Sequence, residues 1–526
     1  MSSTPVDSRT PATSGYAASL LVRAARIVPV RKSRPVPSGS TAEVADIRIV
    51  DGTVQEIAGQ LVPYAGESVL EVAGRWVIPG LWDQHVHMSS WTRQSTRVDL
   101  TTARSASDAV RAVAERVATL PARRAGDLVF GGGFLPNTWR EQPTVAALDA
   151  VGGDHPVVLQ SADSHTGWLN STALRELGAP PRADTVSENE WFALLARLDD
   201  LPGARNGLDD GYRKAVGDAA ARGVVGVVDM DLGAGYQEWP EHFARGADLL
   251  RVRPATYPDL LEEVIAAGLR TGDPLPGGHG LLTMGPLKVI GDGSMNSRTA
   301  YCCEPYADVP DRTHAHGAAN FSTAELTRLL TRARQSGLDA AVHAIGDAAA
   351  QVVIEAFAET GAPGSIEHAQ LMTHADVVRM ATLGLRASVQ PAHLLDDRDV
   401  TAQVWPDRLD RCFMFATMLR AGVTLALGSD APVAPLDPWL AMAAAVHRTG
   451  DSRDPWNGAE SLTAAEALAA SIDGQGPLAP GGRGDLALLD DDPLLVLDDP
   501  AEVSAHLRSV QVAATLVAGR VTHQDL

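Results

Sequence analysis

Apolar and polar positions alternate in short runs near the start of the chain, at Leu20 to Val30, Val44 to Val50, Val54 to Ala58 and Val69 to Val77. A period of two marks half-buried strands, and Asp51-Gly52 between two such runs predicts a hairpin. The pattern then disappears and returns only at Asp485 to Leu489 and Val510 to Val521. Neither stretch can bury a core alone. Together they are expected to form one small β-sandwich domain, residues 19–78 plus 478–526, which the chain leaves and re-enters. Residues 1–18, rich in Ser, Thr and Pro, are expected to be disordered.

The middle of the chain reads differently. Apolar runs at Trp76 to Leu81, Val224 to Asp229, Leu250 to Tyr257, Leu287 to Gly291, Asp339 to His343, Ser365 to His368, Leu385 to Gln390 and Thr424 to Gly428 alternate with helical segments. Ser322 and Glu325 form a capping box before Leu326, Leu329 and Leu330, and Thr373 with Asp376 opens another helix in a similar way. Eight strands interleaved with helices predict an α/β fold, a (β/α)8 TIM-like barrel over residues 79–477. Such a barrel needs only about 250 residues, and the surplus is expected as an insertion at about 90–221.

Composition narrows the classes. The chain has 526 residues, 45% hydrophobic and 21% charged, with a net charge of −21. An acidic chain without a clustered basic face argues against nucleic-acid binding. The start of the sequence has no apolar signal core, and no run reaches the roughly 18 apolar residues of a membrane span. Three cysteines, two of them adjacent (Cys302 and Cys303), make no disulfide framework. A cytoplasmic globular protein with no membrane partner is expected.

Polar residues interrupt the apolar strands at particular places. His85 and His87, two apart on an extended segment, face the same side and could share a divalent metal, although a bare His-x-His pair also occurs as ordinary loop polarity. His343, His368 and Asp430 each close an apolar strand, which is where barrel enzymes assemble their sites. Taken singly, each could be a backbone-bonded histidine or, for Asp430, a turn or helix cap. Four such sites on separate strands are hard to explain by coincidence. Lys288 lies inside an apolar strand, either ion-paired with its stem packed or held neutral by burial and able to react as an amine, for instance with carbon dioxide to give a carbamate.

The motifs PGLWDQHVHM (79 to 88), LKVIGDGSMNSRTA (287 to 300), AVHAIGDAA (341 to 349), SIEHAQL (365 to 371), ASVQPAHLLDD (387 to 397) and GSDAPV (428 to 433) resemble the amidohydrolase superfamily. Specifically, they resemble its amidohydrolase 3 family of YtcJ-like and N-substituted formamide deformylase-like proteins. GGGFLPNTW (131 to 139), DSHTGWLNSTAL (163 to 174) and GRGDLALLDDDP (482 to 493) extend the likeness from about residue 19 to 524. The resemblance implies that His85 and His87 bind the more buried metal, that Lys288 is the carboxylated bridging lysine, and that His343 and His368 bind the second metal. It makes Asp430 a metal-adjacent general base and places His165 and His393 near the substrate; Arg298 and Asp292 are read as binding substrate or fixing their loop, the loop role first. The metal is expected to be zinc, one or two ions, since a histidine-rich set suits it, with iron or manganese also compatible. Asp163-Ser164-His165 departs from relatives that often carry glycine in the middle, which bears on substrate choice.

The expected reaction is hydrolysis of a non-peptide C–N bond, in an amide, N-formyl or N-acyl small molecule, by a metal-bound hydroxide with Asp430 as base and then acid. The same centre could cleave an ester, lactone or phosphotriester. A non-catalytic scaffold or a metabolite sensor of the same fold is the rival from another class. Family habit implies a homodimer. Phe134, Trp139 and Trp168 in the insertion read either as apolar pocket walls or as packing.

Overall fold

The computed structural model describes residues 19–30, 44–120, 126–135, 139–161, 166–195, 197–198, 201, 204–310 and 315–526. Residues 1–18 and His165 lie outside them. The chain divides into two compact units, one of residues 1–86, 217–237 and 249–526, the other of residues 87–216 and 238–248.

In the first unit the terminal segments share one eight-stranded sheet. Ser19–Ile27, Val44–Val50, Thr53–Ala58, Ser68–Glu71 and Trp76–Pro79 come from the first part, and Leu486–Leu489, Val512–Val517 and Arg520–Gln524 from the last. The two parts join where Trp76–Pro79 pairs antiparallel with Leu486–Leu489. One face buries Val22, Ile47, Ile49, Val77, Leu486, Leu488 and Leu516. Asp51 and Gly52 take φ of 46° and 75°, both left-handed, as the expected Asp-Gly hairpin requires. The eight strands are hydrogen-bonded into one continuous sheet. One correction follows. The run Val510 to Val521 is two strands, because Ala518 and Gly519, at φ 51° and 77°, turn the chain.

Eight parallel strands carry the rest of this unit: β1 (Leu81–Val86), β2 (Val224–Asp229), β3 (Arg251–Pro254), β4 (Leu287–Ile290), β5 (Ala340–Ala344), β6 (Gly364–His368), β7 (Arg386–Val389) and β8 (Thr424–Leu427). They form a three-stranded sheet, β3-β2-β1, and a five-stranded sheet in sequence order from β4 to β8. Single bridges, Thr256 to Leu287 and Val86 to Ala431, link the two sheets. Continuous hydrogen-bonded ladders do not run round all eight strands, so the structure shows two parallel sheets rather than the closed barrel that was expected.

Trp76 to Leu81 was expected to be the first of the eight. The structure breaks it at Gly80: Trp76–Pro79 stays in the terminal sheet, while Leu81 donates to the Gly223 carbonyl and begins β1. A β carbon on Gly80 would stand 2.2 Å from Val225 Cγ1, so only glycine lets the strands approach at this crossing. Helices follow the strands as their caps dictate. Ser322 and Glu325 make the reciprocal capping box before Thr323–Gln335, and Thr373 caps His374–Leu383.

The second unit has its own five-stranded sheet, Val98–Asp99, Val129–Phe134, Val157–Ser161, Thr166–Leu169 and Val186–Ser187. Phe134, Trp139 and Trp168 are buried in its core, with ring centroids 5.5 to 6.4 Å apart. They pack this unit. No helix among the described residues is long and apolar enough to cross a membrane.

Candidate metal centre

Side chains from five parallel strands or the residues just beyond them gather in the first unit. His85 comes from β1, Lys288 from β4, His343 from β5, His368 from the last position of β6, and Asp430 from the turn after β8. His368 and Asp430 have φ of 70° and 58°. Such values are uncommon for non-glycine residues and gather at functional sites. Asp83 ties the first and last strands together: its Oδ1 accepts from the backbone N–H of His85 and of Ser429, each at 3.0 Å. Burial pushes the Asp83 carboxyl up to about 6.

Each of three histidines has one ring nitrogen committed to an oxygen. His85 Nδ1 lies 2.7 Å from Glu367 Oε2, and His368 Nδ1 lies 2.8 Å from Gln390 Oε1. His343 Nε2 lies 3.2 Å from the Gly293 carbonyl and 3.3 Å from Asp292 Oδ1. These oxygens place the ring proton on the nitrogen that faces them, so the other nitrogen keeps its lone pair. An outer carboxylate or carbonyl holding a ligand histidine in this way is the usual support of a metal site. Asp292 is itself fixed, fully buried and accepting from the backbone N–H of Tyr301, Ile345 and Gly346.

Electrostatics favour the neutral imidazoles. Burial, then the Lys288 charge, lowers His85 to about 4, and burial with neighbouring His343 takes His368 well below its usual value. Burial also lowers Lys288, against the pull of Glu367 and Asp430. For Glu367 burial works against ionisation, yet hydrogen bonds from His85 and Ser365 and the Lys288 charge bring it down to about 2. Lys288 is 2% exposed, its Nζ is 3.4 Å from His85 Nε2, and it makes no ion pair among the described residues.

Ligand atoms of His85, His368 and Asp430 lie within 4.8 Å of one another. His85 Nε2 is 3.5 Å from Asp430 Oδ1. The converging group includes neither His87, a half-buried residue that begins the second unit, nor His343, whose ring stands edge-on to His368 at 4.5 Å. His393 opens the helix His393–Val404; its Nε2 is buried, 3.8 Å from Asp430 Oδ2, and makes no hydrogen bond among the described residues. Arg298 pairs with Asp308 at 2.7 Å and bonds the Asn296 carbonyl, which ties its loop. Sequence reasoning missed Glu367, Gln390 and Asp83 altogether and did not assign Asp292 to His343. The only available signal was that Glu367 is an acidic residue inside an apolar strand.

The donor set is one that a divalent metal takes up: neutral imidazole lone pairs, a carboxylate and a buried amine. YtcJ of Bacillus subtilis is 26% identical, covering 86% of this chain and 90% of that one. The N-substituted formamide deformylase of Arthrobacter pascens is 28% identical over 90% of this chain and 92% of its own. A metal-dependent hydrolase from Pyrococcus horikoshii shares the fold, with a TM-score of 0.73 at 24% identity, covering 91% of this chain and 98% of that one. The amidohydrolase family profile matches residues 69–523, and the chain belongs to the amidohydrolase family.

Proposed function

We propose that the protein is a metal-dependent hydrolase of a non-peptide C–N bond in a small molecule, an amide, N-formyl or N-acyl compound. The observation that carries this reading is the convergence of His85, His368 and Asp430, with each imidazole tethered through its Nδ1. The deformylase among the relatives supports the choice of bond. These three residues would hold a divalent ion, zinc by the chemistry of the donors. His87, His343 and a carboxylated Lys288 would complete a two-ion set, as the family likeness implies. The same reading takes the protein as a cytoplasmic homodimer, with the terminal sheet in the place of the family's β-sandwich domain.

When bound, the metal supplies Lewis acidity to the substrate carbonyl and makes water acidic enough to attack near neutral pH. The chain's own residues then manage orientation and protons. Glu367 and Gln390 hold His85 and His368 in one tautomer and one direction. Asp430 takes a proton from the attacking water and returns it to the departing nitrogen, so that amide and water become a carboxylate or formate and an amine. His393 Nε2, without a hydrogen bond of its own among the described residues, lies close enough to Asp430 to donate to the charge developing on the carbonyl oxygen.

Metal per chain, measured by elemental analysis on protein purified with bicarbonate and without chelator, tests the assignment. Nearly two equivalents are expected, with faster turnover of N-formyl or N-acyl amines than of the matching esters. One equivalent would return Lys288 to a structural role. None after reconstitution would overturn the hydrolase.

A further inference from the structure

The parallel strands of the first unit also line an open cavity of about 390 Å³ whose wall mixes polar and apolar residues. This is within the range of small-molecule sites, roughly 300–1,000 Å³. Ser365 and Glu367 on β6 line it, as do Arg386 and Ser388 on β7, together with Gln84, Arg253 and Asp339. Ser365 and Arg386 are register partners, and Glu367 and Ser388 are the next inward-facing row. Arg386 starts its strand and Asp339 immediately precedes β5, so this row lies at the strand starts, away from the end that carries His368 and Asp430.

Two of the four charges on the wall are already engaged. Arg253 makes a bidentate pair with Asp473, at 2.7 and 2.8 Å, and Glu367 accepts from His85 and Ser365. The other two are not. Half-buried Arg386 and half-buried Asp339 make no side-chain hydrogen bond or ion pair among the described residues. Deeper in, Ser388 is 3% exposed and its Oγ has no hydrogen-bond partner. A buried hydroxyl left unpaired costs about 1–3 kcal/mol unless something in the cavity meets it.

We propose that this cavity is a second binding site, for a small zwitterion such as an α- or ω-amino acid. Arg386 presents a fork suited to a carboxylate, Asp339 an acceptor for an ammonium, and Ser388 a hydroxyl that can donate to the same carboxylate. Because the open charges are opposite, a plain anion leaves Asp339 unmet and a plain cation leaves Arg386 unmet; only a zwitterion answers both. The two residues belong to strands separated by β6, roughly 10 Å apart at the backbone, and the long Arg386 side chain shortens that span. Glu367 is both wall of the cavity and anchor of His85, so the occupant is one carboxylate removed from the metal centre. The proposal itself does not depend on the hydrolase reading.

Calorimetric titration of the full chain with glycine, β-alanine and γ-aminobutyrate, against acetate and methylammonium, tests it. At least one zwitterion should bind saturably, and at least tenfold more tightly than either single-charge probe. Arg386→Met and Asp339→Asn should each weaken it tenfold or more, and Ser388→Ala several-fold. Asp430→Asn, which disables the proposed chemistry, should leave it unchanged. Absence of saturable binding by all three zwitterions means the cavity holds only water, and the proposal fails on the unaltered protein whatever the variants do. Binding indifferent to Arg386→Met, or abolished by Asp430→Asn, overturns it as well.

Discussion

Two buried cations of the first unit, each 2% exposed, have opposite surroundings. Arg48, in the terminal sheet, bonds Glu67 at 2.9 Å, Glu56 at 2.7 Å and the Val62 carbonyl at 2.6 Å, and its guanidinium stacks 3.8 Å from the Tyr64 ring centre. These partners raise its pKa despite burial. Lys288, in β4, makes no ion pair among the described residues, and burial lowers its pKa against the more distant pull of Glu367 and Asp430. Burial by itself therefore does not distinguish structural from chemical residues. The distinction lies in whether the neighbours complete the charge or leave it open, and an open buried amine is the kind of group that reacts or binds.

The sharpest test of the site half of this contrast is Asp430→Asn. Turnover should fall about a thousandfold, because general acid–base catalysis is worth roughly 10²–10⁴, while metal is still taken up through His85, His368 and the amide oxygen of the new side chain, though less tightly; full activity would remove Asp430 from the proton path. For the structural half, Arg48→Met should lower unfolding free energy by about 3 kcal/mol in urea, since it leaves the Glu67 carboxylate without its cation. Burial raises Glu67, but its bonds from Arg48 and Ser19 outweigh that and hold it below 4.5. A carboxylate with a depressed folded pKa contributes stability in full above its unfolded value and loses it as pH falls through the folded one. The gap between parent and Arg48→Met should accordingly be widest at neutral pH and narrow below 4.5. A gap independent of pH would mean that packing, not charge, is what Arg48 supplies.

Asp292→Asn sharpens the comparison further, since it touches His343 without touching either cation. Metal affinity should drop by about 10–100-fold, the usual cost of losing an outer support, as read by competition with a chelator. The smallest effect is expected from Lys288→Met on metal-free protein. Removing an unpaired buried amine should change stability by less than about 1 kcal/mol, or raise it, while the reconstituted variant binds less metal. A loss as large as that of Arg48→Met would erase the contrast.

What the sequence made legible was local. Asp51-Gly52, Ser322 with Glu325, and the polar residues ending β5 and β6 each carry their signal within a few positions, and the structure places them as read. The unread parts are long-range. Glu367 meets His85 across 282 positions of chain, and Gln390 reaches His368 from the next strand; no periodicity encodes either pairing. Gly80 was invisible as a strand break because its effect comes from the Val225 side chain. The insertion aromatics carried two readings until their mutual packing was seen, and His165 lies outside the described residues.

The pairing of Trp76–Pro79 with Leu486–Leu489 has a consequence for biosynthesis. The two strands are separated by roughly 410 positions, and at a synthesis rate of about 5–20 residues per second the earlier one waits tens of seconds on the ribosome for its neighbour. During that interval Trp76, Val77 and Ile78 present an open apolar edge, the kind that recruits other chains. Expression yield should therefore depend on chaperone supply and fall steeply when the last strands are truncated, even though those strands lie far in sequence from every residue of the metal centre.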